Sequence, residues 1–216
     1  DKRLQVLETL MTGKIPITFF NIDLNQLMRY NQFEGIRIGI GLETNRKVSE
    51  WFTVGGLYAY GFSDKKSKYG GFGKIYLNKR NQISIEGKYQ LDVREPGVSN
   101  FEKPFGLLNT EGLRDVNIYQ MDYVESYRAQ LNFRAFKHFS FKLVGQTRNF
   151  NLSSKSLFVN SSLDTLTTFN TTEAGIEAKF VWKEKFMETP RGIIPLNSSF
   201  PVIWFNYYRG LDVMNG

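Results

Sequence analysis

From residue 36 to residue 44 apolar and polar side chains alternate without a break. Ile36, Ile38, Ile40 and Leu42 fall on one parity, Arg37, Gly39, Gly41 and Glu43 on the other. Successive side chains of a strand point to opposite faces, so the stretch predicts a ribbon with one apolar and one polar face. The design recurs down the chain. In 51–62, Phe52, Val54, Tyr58, Tyr60 and Phe62 oppose Thr53, Gly55, Ala59 and Gly61; in 68–78, Tyr69, Ile75 and Leu77 oppose Lys74 and Asn78. Residues 82–93 are the cleanest case: Ile83, Ile85, Tyr89, Leu91 and Val93 oppose Gln82, Ser84, Glu86, Lys88, Gln90 and Asp92. In 123–136, Tyr127, Ala129, Leu131, Phe133 and Ala135 oppose Arg128, Gln130, Asn132 and Arg134. In 139–149, Phe139, Phe141 and Leu143 oppose Ser140, Lys142, Gln146 and Arg148. In 172–183, Ala174, Ile176, Ala178, Phe180 and Trp182 oppose Glu177, Lys179 and Lys183, and residues 200–208 begin one more strand.

Ahead of these ribbons, Leu4, Leu7, Leu10 and Met11 fall at helical spacing, and Gly13 is a natural stop, so 1–13 predicts a short helix or linker before a β domain over 14–216. Residues 15–24 read as a strand with Pro16 near its start, and 26–33 as a polar connection. The connections then alternate in length. The segments 45–50, 78–81 and 137–138 are short; on the other side 63–67 is followed by the long 94–122 and 150–170. Bacterial outer-membrane barrels combine short periplasmic turns with longer extracellular loops, and the segment 184–199, on the short side, departs from that rule. Ribbons of roughly 10–14 residues suit a tilted membrane crossing and exceed the ~5–6 typical of soluble strands.

Composition changes the picture in two places. Hydrophobic residues make up 41% of the 216 and mean hydropathy is −0.34, so no run serves as a spanning helix; alternating barrel strands give no such signal anyway. Aromatics are abundant (19 Phe, 11 Tyr, 3 Trp), as in strands and in the girdles of membrane barrels. Trp51, Phe62, Tyr69, Tyr89, Phe136, Phe139 and Trp182 stand near strand ends. The absence of Cys removes disulfides and thiolate metal sites. The net charge of +7 is spread over polar faces and turns rather than gathered in a block, which argues against a nucleic-acid partner.

The fold class these patterns predict is an all-β, antiparallel transmembrane (outer-membrane) β-barrel with about eight visible strands, a number that can close a small barrel. The lipid-facing set is then Ile36, Ile38, Ile40, Leu42, Ile83, Ile85, Leu91, Leu131, Phe133 and Phe141. The lumen-facing set is Arg37, Glu43, Lys74, Glu86, Lys88, Asp92, Arg128, Arg134, Lys142, Arg148, Glu177 and Lys179, with Lys183 beyond them. Enclosed charges must pair or stay wet, so this face is either an ion-pair network or a basic, anion-preferring channel. Periodicity is symmetric about the sheet, and the alternative is a soluble β-barrel binding module with its apolar face around an apolar ligand. Catalytic chemistry finds little support. His138 stands beside Lys137 in a short turn with only Ser140 near in sequence, Glu86 and Asp92 lie about 20 Å apart along an extended strand, and phosphate loops and metal-ligand spacings are missing. No enzyme and no cofactor are expected.

Three stretches carry a family resemblance: Y-N-Q-F-E-G-I-R over 30–37, Lys68-Tyr69-Gly70, and F-P-x6-Y-x-G spanning Phe200, Pro201, Tyr208 and Gly210. They resemble a Bacteroidota outer-membrane family with an N-terminal carboxypeptidase-regulatory-like domain and a C-terminal barrel of the BamA-like, surface-antigen type. The resemblance spans roughly 14–210. It implies a bacterial outer-membrane location, the lipid bilayer and other outer-membrane proteins as partners, a structural, transport or envelope-assembly role, and no catalysis. The chain lacks the regulatory-like domain and the terminal aromatic of such barrels, so the reading expects part of a larger barrel. Asp164-Thr165-Leu166 resembles the Bacteroidota O-glycosylation acceptor, with Thr165 as the modified residue.

Overall fold

The computed structural model describes residues 9, 12–78, 82–97, 116–135, 138–153, 158–159, 165–182, 186–189, 192–195 and 201–212. The expected helix over 1–13 lies outside these residues except at its end. There Thr9 and Thr12 are helical, the Gly13 amide donates to the Thr9 carbonyl at 2.7 Å, and Gly13 adopts a φ of +68°, the left-handed conformation that ends helices.

In chain order the strands are β1 Lys14–Ile17, β2 Phe20–Asp23, β3 Met28–Asn31, β4 Gly35–Thr44, β5 Phe52–Gly61, β6 Ser67–Asn78, β7 Ile83–Arg94, β8 Asp122–Ala135, β9 Phe139–Asn151, β10 Phe158–Val159, β11 Thr165–Leu166, β12 Thr168–Val181, β13 Phe186–Thr189, β14 Gly192–Pro195 and β15 Val202–Gly210. Eleven form one antiparallel sheet in the order β1-β2-β4-β5-β6-β7-β8-β9-β12-β15, with β3 also on β4; β10-β11 and β13-β14 are separate two-stranded ribbons. Each long strand pairs with its neighbour in sequence, the pattern of an up-and-down meander. All the predicted long ribbons are present.

Two expectations near the start are corrected. Residues 15–24 form no single strand: the chain reverses at Thr18 and Phe19, and β1 folds back on β2 with Lys14 opposite Asp23 and Ile17 opposite Phe20. Nor is 26–33 only a connection. Met28–Asn31 is β3, which pairs with Gly35–Ile38 of β4 while β2 pairs with the other half. Between them lies a 3-10 turn at Leu24–Gln26, where the Asp23 carboxylate accepts from the Asn25 amide at 3.0 Å. Such local side-chain bonds compete with the ladder and separate β2 from β3.

The predicted barrel is present as its sheet and not as a closed ring. Among the described residues the outer edges of β1 and β15 carry no further strand. The sheet is nonetheless strongly curved. Arg37 on β4 reaches Asp92 on β7, three ladder steps away, or roughly 14 Å on a flat sheet. The polar side is therefore the concave side.

The distribution of side chains is the reverse of an ordinary core. On β4 the apolar residues Ile36, Ile38, Ile40 and Leu42 are exposed, while Arg37 between them is only 2% exposed. The most deeply buried large side chains include Lys68 and Glu34, at 1% and 2% exposure. Buried apolar residues among those described are few: Ala59, Met121, Val124, Val144 and Val181. The strand ends also follow the predicted division. The connections after β5, β7 and β9 lie at one end of the sheet and those after β4, β6, β8 and β12 at the other.

The charged concave face

At the long-loop end five ionic side chains and their hydrogen-bonding partners form one buried network. Arg37 makes a two-point contact with Asp92, Nη1–Oδ1 at 2.6 Å and Nη2–Oδ2 at 3.2 Å, and a longer one to Glu34 at 3.4 Å. Lys68 on β6 bridges Glu34 at 2.8 Å and Asp64 at 2.5 Å. Asn31 and Glu34 bond reciprocally, each link 2.7 Å, which fixes the tight turn between β3 and β4. Gln90 donates to Asp92 at 2.7 Å and the Tyr123 hydroxyl donates to Asp64 at 3.0 Å, tying β7 and β8 to the same network. Every carboxylate thus has a cation and a neutral donor, the condition under which buried charge is tolerated. Gly61 makes the crossing sterically feasible. A Cβ there would stand 2.3 Å from Asp64 Oδ1 and 2.6 Å from Lys68 Nζ.

A second network occupies the middle of the face. Glu177 on β12 accepts from Arg128 at 3.0 Å and from the Tyr208 hydroxyl, and Lys142 stands 3.7 Å away. Glu86 is shared by Lys74 at 3.6 Å and Gln130 at 3.2 Å. Nearer the long-loop end Glu173 takes Gln146 at 2.7 Å and Arg148. At the short-turn end Glu43 accepts from Lys14 at 2.6 Å and Asn21 at 3.1 Å. Lys88 is exposed and lies directly opposite Arg128 in the ladder, a like-charge pairing that sheets normally avoid.

Most of the expected inward-facing residues therefore join shared networks: Arg37 with Asp92, Lys74 with Glu86, and Arg128 and Lys142 with Glu177. Glu43 and Arg148 join networks of their own. Arg134 and Lys179 lie in one cross-strand row with Ser140 between them. Lys183 lies outside the described residues. Reading the sequence missed five charged members, Lys14, Glu34, Asp64, Lys68 and Glu173. The last two were findable, because Lys68 shares the parity of Lys74 and Glu173 that of Glu177. Glu34 and Asp64 sit in turns, where parity carries no information.

The convex face holds the expected apolar set. Ile36, Ile38, Ile40, Leu42 and Ile85 are exposed; Ile83, Leu91, Leu131, Phe133 and Phe141 are half-buried by their neighbours on the same face. Toward the long-loop end the face changes to a row of tyrosines. Tyr58 lies opposite Tyr69 and Tyr89 opposite Tyr127 in the register. Tyr89 and Tyr127 both donate to Glu125, at 3.1 and 2.9 Å, and Asn149 donates to its other oxygen. At the short-turn end the aromatics are hydrocarbon-rich: Phe139 packs on Phe180 at 4.9 Å, and the His138 ring stacks on Trp182 at 4.8 Å. That stacking, with Nδ1 3.3 Å from the Val181 carbonyl, gives His138 a packing role at the strand end. Thr165 lies in β11, opposite Val159, at the long-loop end. Among the described residues no group of three His, Asp or Glu is placed to hold a metal ion.

These features define the class: an all-β protein built on one antiparallel meander whose charges lie on the concave side. Residues 17–216 match the C-terminal domain of a family of unknown function, DUF5686, and the chain belongs to that family. Comparison with curated proteins and with solved structures gives no match.

Proposed function

We propose that this chain is the membrane-embedded β-sheet of a bacterial outer-membrane protein, part of a barrel, with a structural, transport or envelope-assembly role and no catalysis. The observation that carries the reading is the inversion of the faces: isoleucines on β4 point out while Arg37, Lys68 and Glu34 are enclosed. In water that arrangement leaves the apolar face of the sheet exposed from strand to strand, the kind of contiguous patch that marks a membrane or interaction surface. In a bilayer the same surface is solvated by acyl chains and the polar face lines the interior.

The dimensions agree. On β8 the convex apolar run from Tyr127 to Ala135 is eight steps of about 3.4 Å, or roughly 21 Å when tilted by about 40°, against an apolar band of about 25 Å in such barrels. The tyrosine row over Glu125 marks one margin and the Phe139–Phe180–Trp182 group the other, as aromatic girdles do. A soluble barrel around an apolar ligand needs the apolar side chains to be the enclosed set, and here they are the exposed one. The resemblance to a Bacteroidota barrel family adds the location.

Vesicle flotation tests the reading. Chain refolded in the presence of phospholipid vesicles is expected to float with them and to resist an alkaline carbonate wash. A chain that folds in plain buffer and stays at the bottom of the gradient overturns it.

A further inference from the structure

We infer that the concave face carries an oxyanion-binding pocket between β8, β9, β12 and β15, suited to a small solute bearing a phosphate or carboxylate group. A cavity of about 210 Å³ lies there, lined by Ser140, Lys142, Glu177, Lys179 and Trp204. The register explains why these residues meet. Arg134, Ser140, Lys179 and Trp204 form one row across the four strands, and Asn132, Lys142, Glu177 and Asn206 form the next row on the same face. The Ser140 hydroxyl therefore sits with Arg134 on one side, Lys179 on the other and Lys142 two residues along its own strand.

The charge balance of this patch favours an anion. The lining has two lysines and one carboxylate, and that carboxylate is shared among Arg128, Tyr208 and Lys142, so the positive charge of the patch exceeds the negative. The ammonium groups of Lys142 and Lys179 are donors only, and the Ser140 hydroxyl can turn its proton toward an oxyanion oxygen. The fourth wall is aromatic, with Lys179 Nζ 5.4 Å from the centre of the Trp204 ring, so the pocket can also hold an apolar or ring-shaped body beside the anionic group. The volume equals that of about seven waters, enough for a phosphate or carboxylate with a few further atoms. The pocket gives the proposed envelope role a solute class, and it rests on that reading only in taking the polar face as the barrel interior.

Trp204 is itself the reporter. In the double variant Trp51→Phe/Trp182→Phe it is the single remaining tryptophan. In detergent-refolded protein, iodide is expected to quench Trp204 at least threefold more strongly than caesium, and inorganic phosphate to protect it. Lys142→Gln/Lys179→Gln is expected to abolish the preference while leaving quenching by neutral acrylamide unchanged. Lys47→Gln/Lys65→Gln, which removes the same charge from exposed turns, is expected to retain it. Equal quenching by iodide and caesium, no protection by phosphate, or equal loss in both lysine pairs overturns the pocket. If the pocket variant does not fold, the iodide–caesium contrast and the phosphate protection decide alone. Loss of the contrast in protein that still floats with vesicles overturns the pocket only; a retained contrast in protein that fails to float overturns the membrane reading only.

Discussion

Arg37 and Asp92 form a two-point ion pair, 2.6 and 3.2 Å, across the two strands that separate β4 from β7. The contact belongs to the fold as much as to the site, since a guanidinium and a carboxylate on non-adjacent strands meet only where the sheet curls toward them. Removing one partner leaves the other buried with only its lesser contacts, Glu34 for Arg37 or Gln90 for Asp92, at a cost of up to about 3–5 kcal/mol. Arg37→Met and Asp92→Leu are each expected to lower the unfolding free energy of the refolded protein by an amount of that order, read from the shift in denaturant midpoint at unchanged m-value. The double variant is expected to lose less than the sum of the two. A strictly additive double-mutant cycle contradicts the network.

Gly61 and Gly87 offer a matched test of packing. A Cβ at Gly61 collides with Asp64 and Lys68, whereas one at Gly87 on the convex face meets nothing within 4 Å. Gly61→Ala is expected to destabilise by about 1–3 kcal/mol, the range for forcing extra atoms into a packed site. Gly87→Ala is expected to be neutral or mildly stabilising, because glycine weakens a strand interior. Equilibrium unfolding of the two variants under identical conditions decides.

Ile85 lies in the middle of the convex band, with Glu86 next to it on the concave face. A charge on the lipid face near the bilayer midplane costs about 2–4 kcal/mol. Ile85→Arg is therefore expected to impair vesicle insertion by at least tenfold, and Glu86→Gln to leave insertion intact. Equal effects of the two would remove the distinction between the faces.

Tyr89 and Tyr127 share the Glu125 carboxylate. Tyr127→Phe removes one neutral-to-charged hydrogen bond and is expected to cost about 1–2 kcal/mol, with insertion retained. Glu125→Leu removes the acceptor of both hydroxyls and extends the apolar band. It is expected to strengthen partition into vesicles while lowering stability, as measured by flotation and unfolding of the same sample.

The long ribbons were legible because a period of two depends on nothing but strand geometry. The run 82–93 predicts β7 almost to the residue, and its two faces lie as the parity assigns them. What parity could not reveal was supplied by turns and by curvature. Glu34 and Asp64 enter the buried network from the turns before β4 and before β6, and no local pattern marks them. The reversal at Thr18 and Phe19 breaks the first predicted strand into β1 and β2, and the Asp23–Asn25 bond sets the turn that separates β2 from β3. The pocket around Ser140 depends on register between β8, β9, β12 and β15. Register follows from how four strands align rather than from any one of them.

The chain contains no cysteine, so single cysteines can be placed at will. Labelling each position from Ile83 to Asp92 with an environment-sensitive fluorophore, in vesicles with bromine-labelled acyl chains, tests the central claim most directly. Quenching is expected to alternate, strong at Ile83, Ile85, Gly87, Tyr89 and Leu91 and weak at Ser84, Glu86, Lys88, Gln90 and Asp92. Uniform quenching, or strong quenching on the charged parity, contradicts the account.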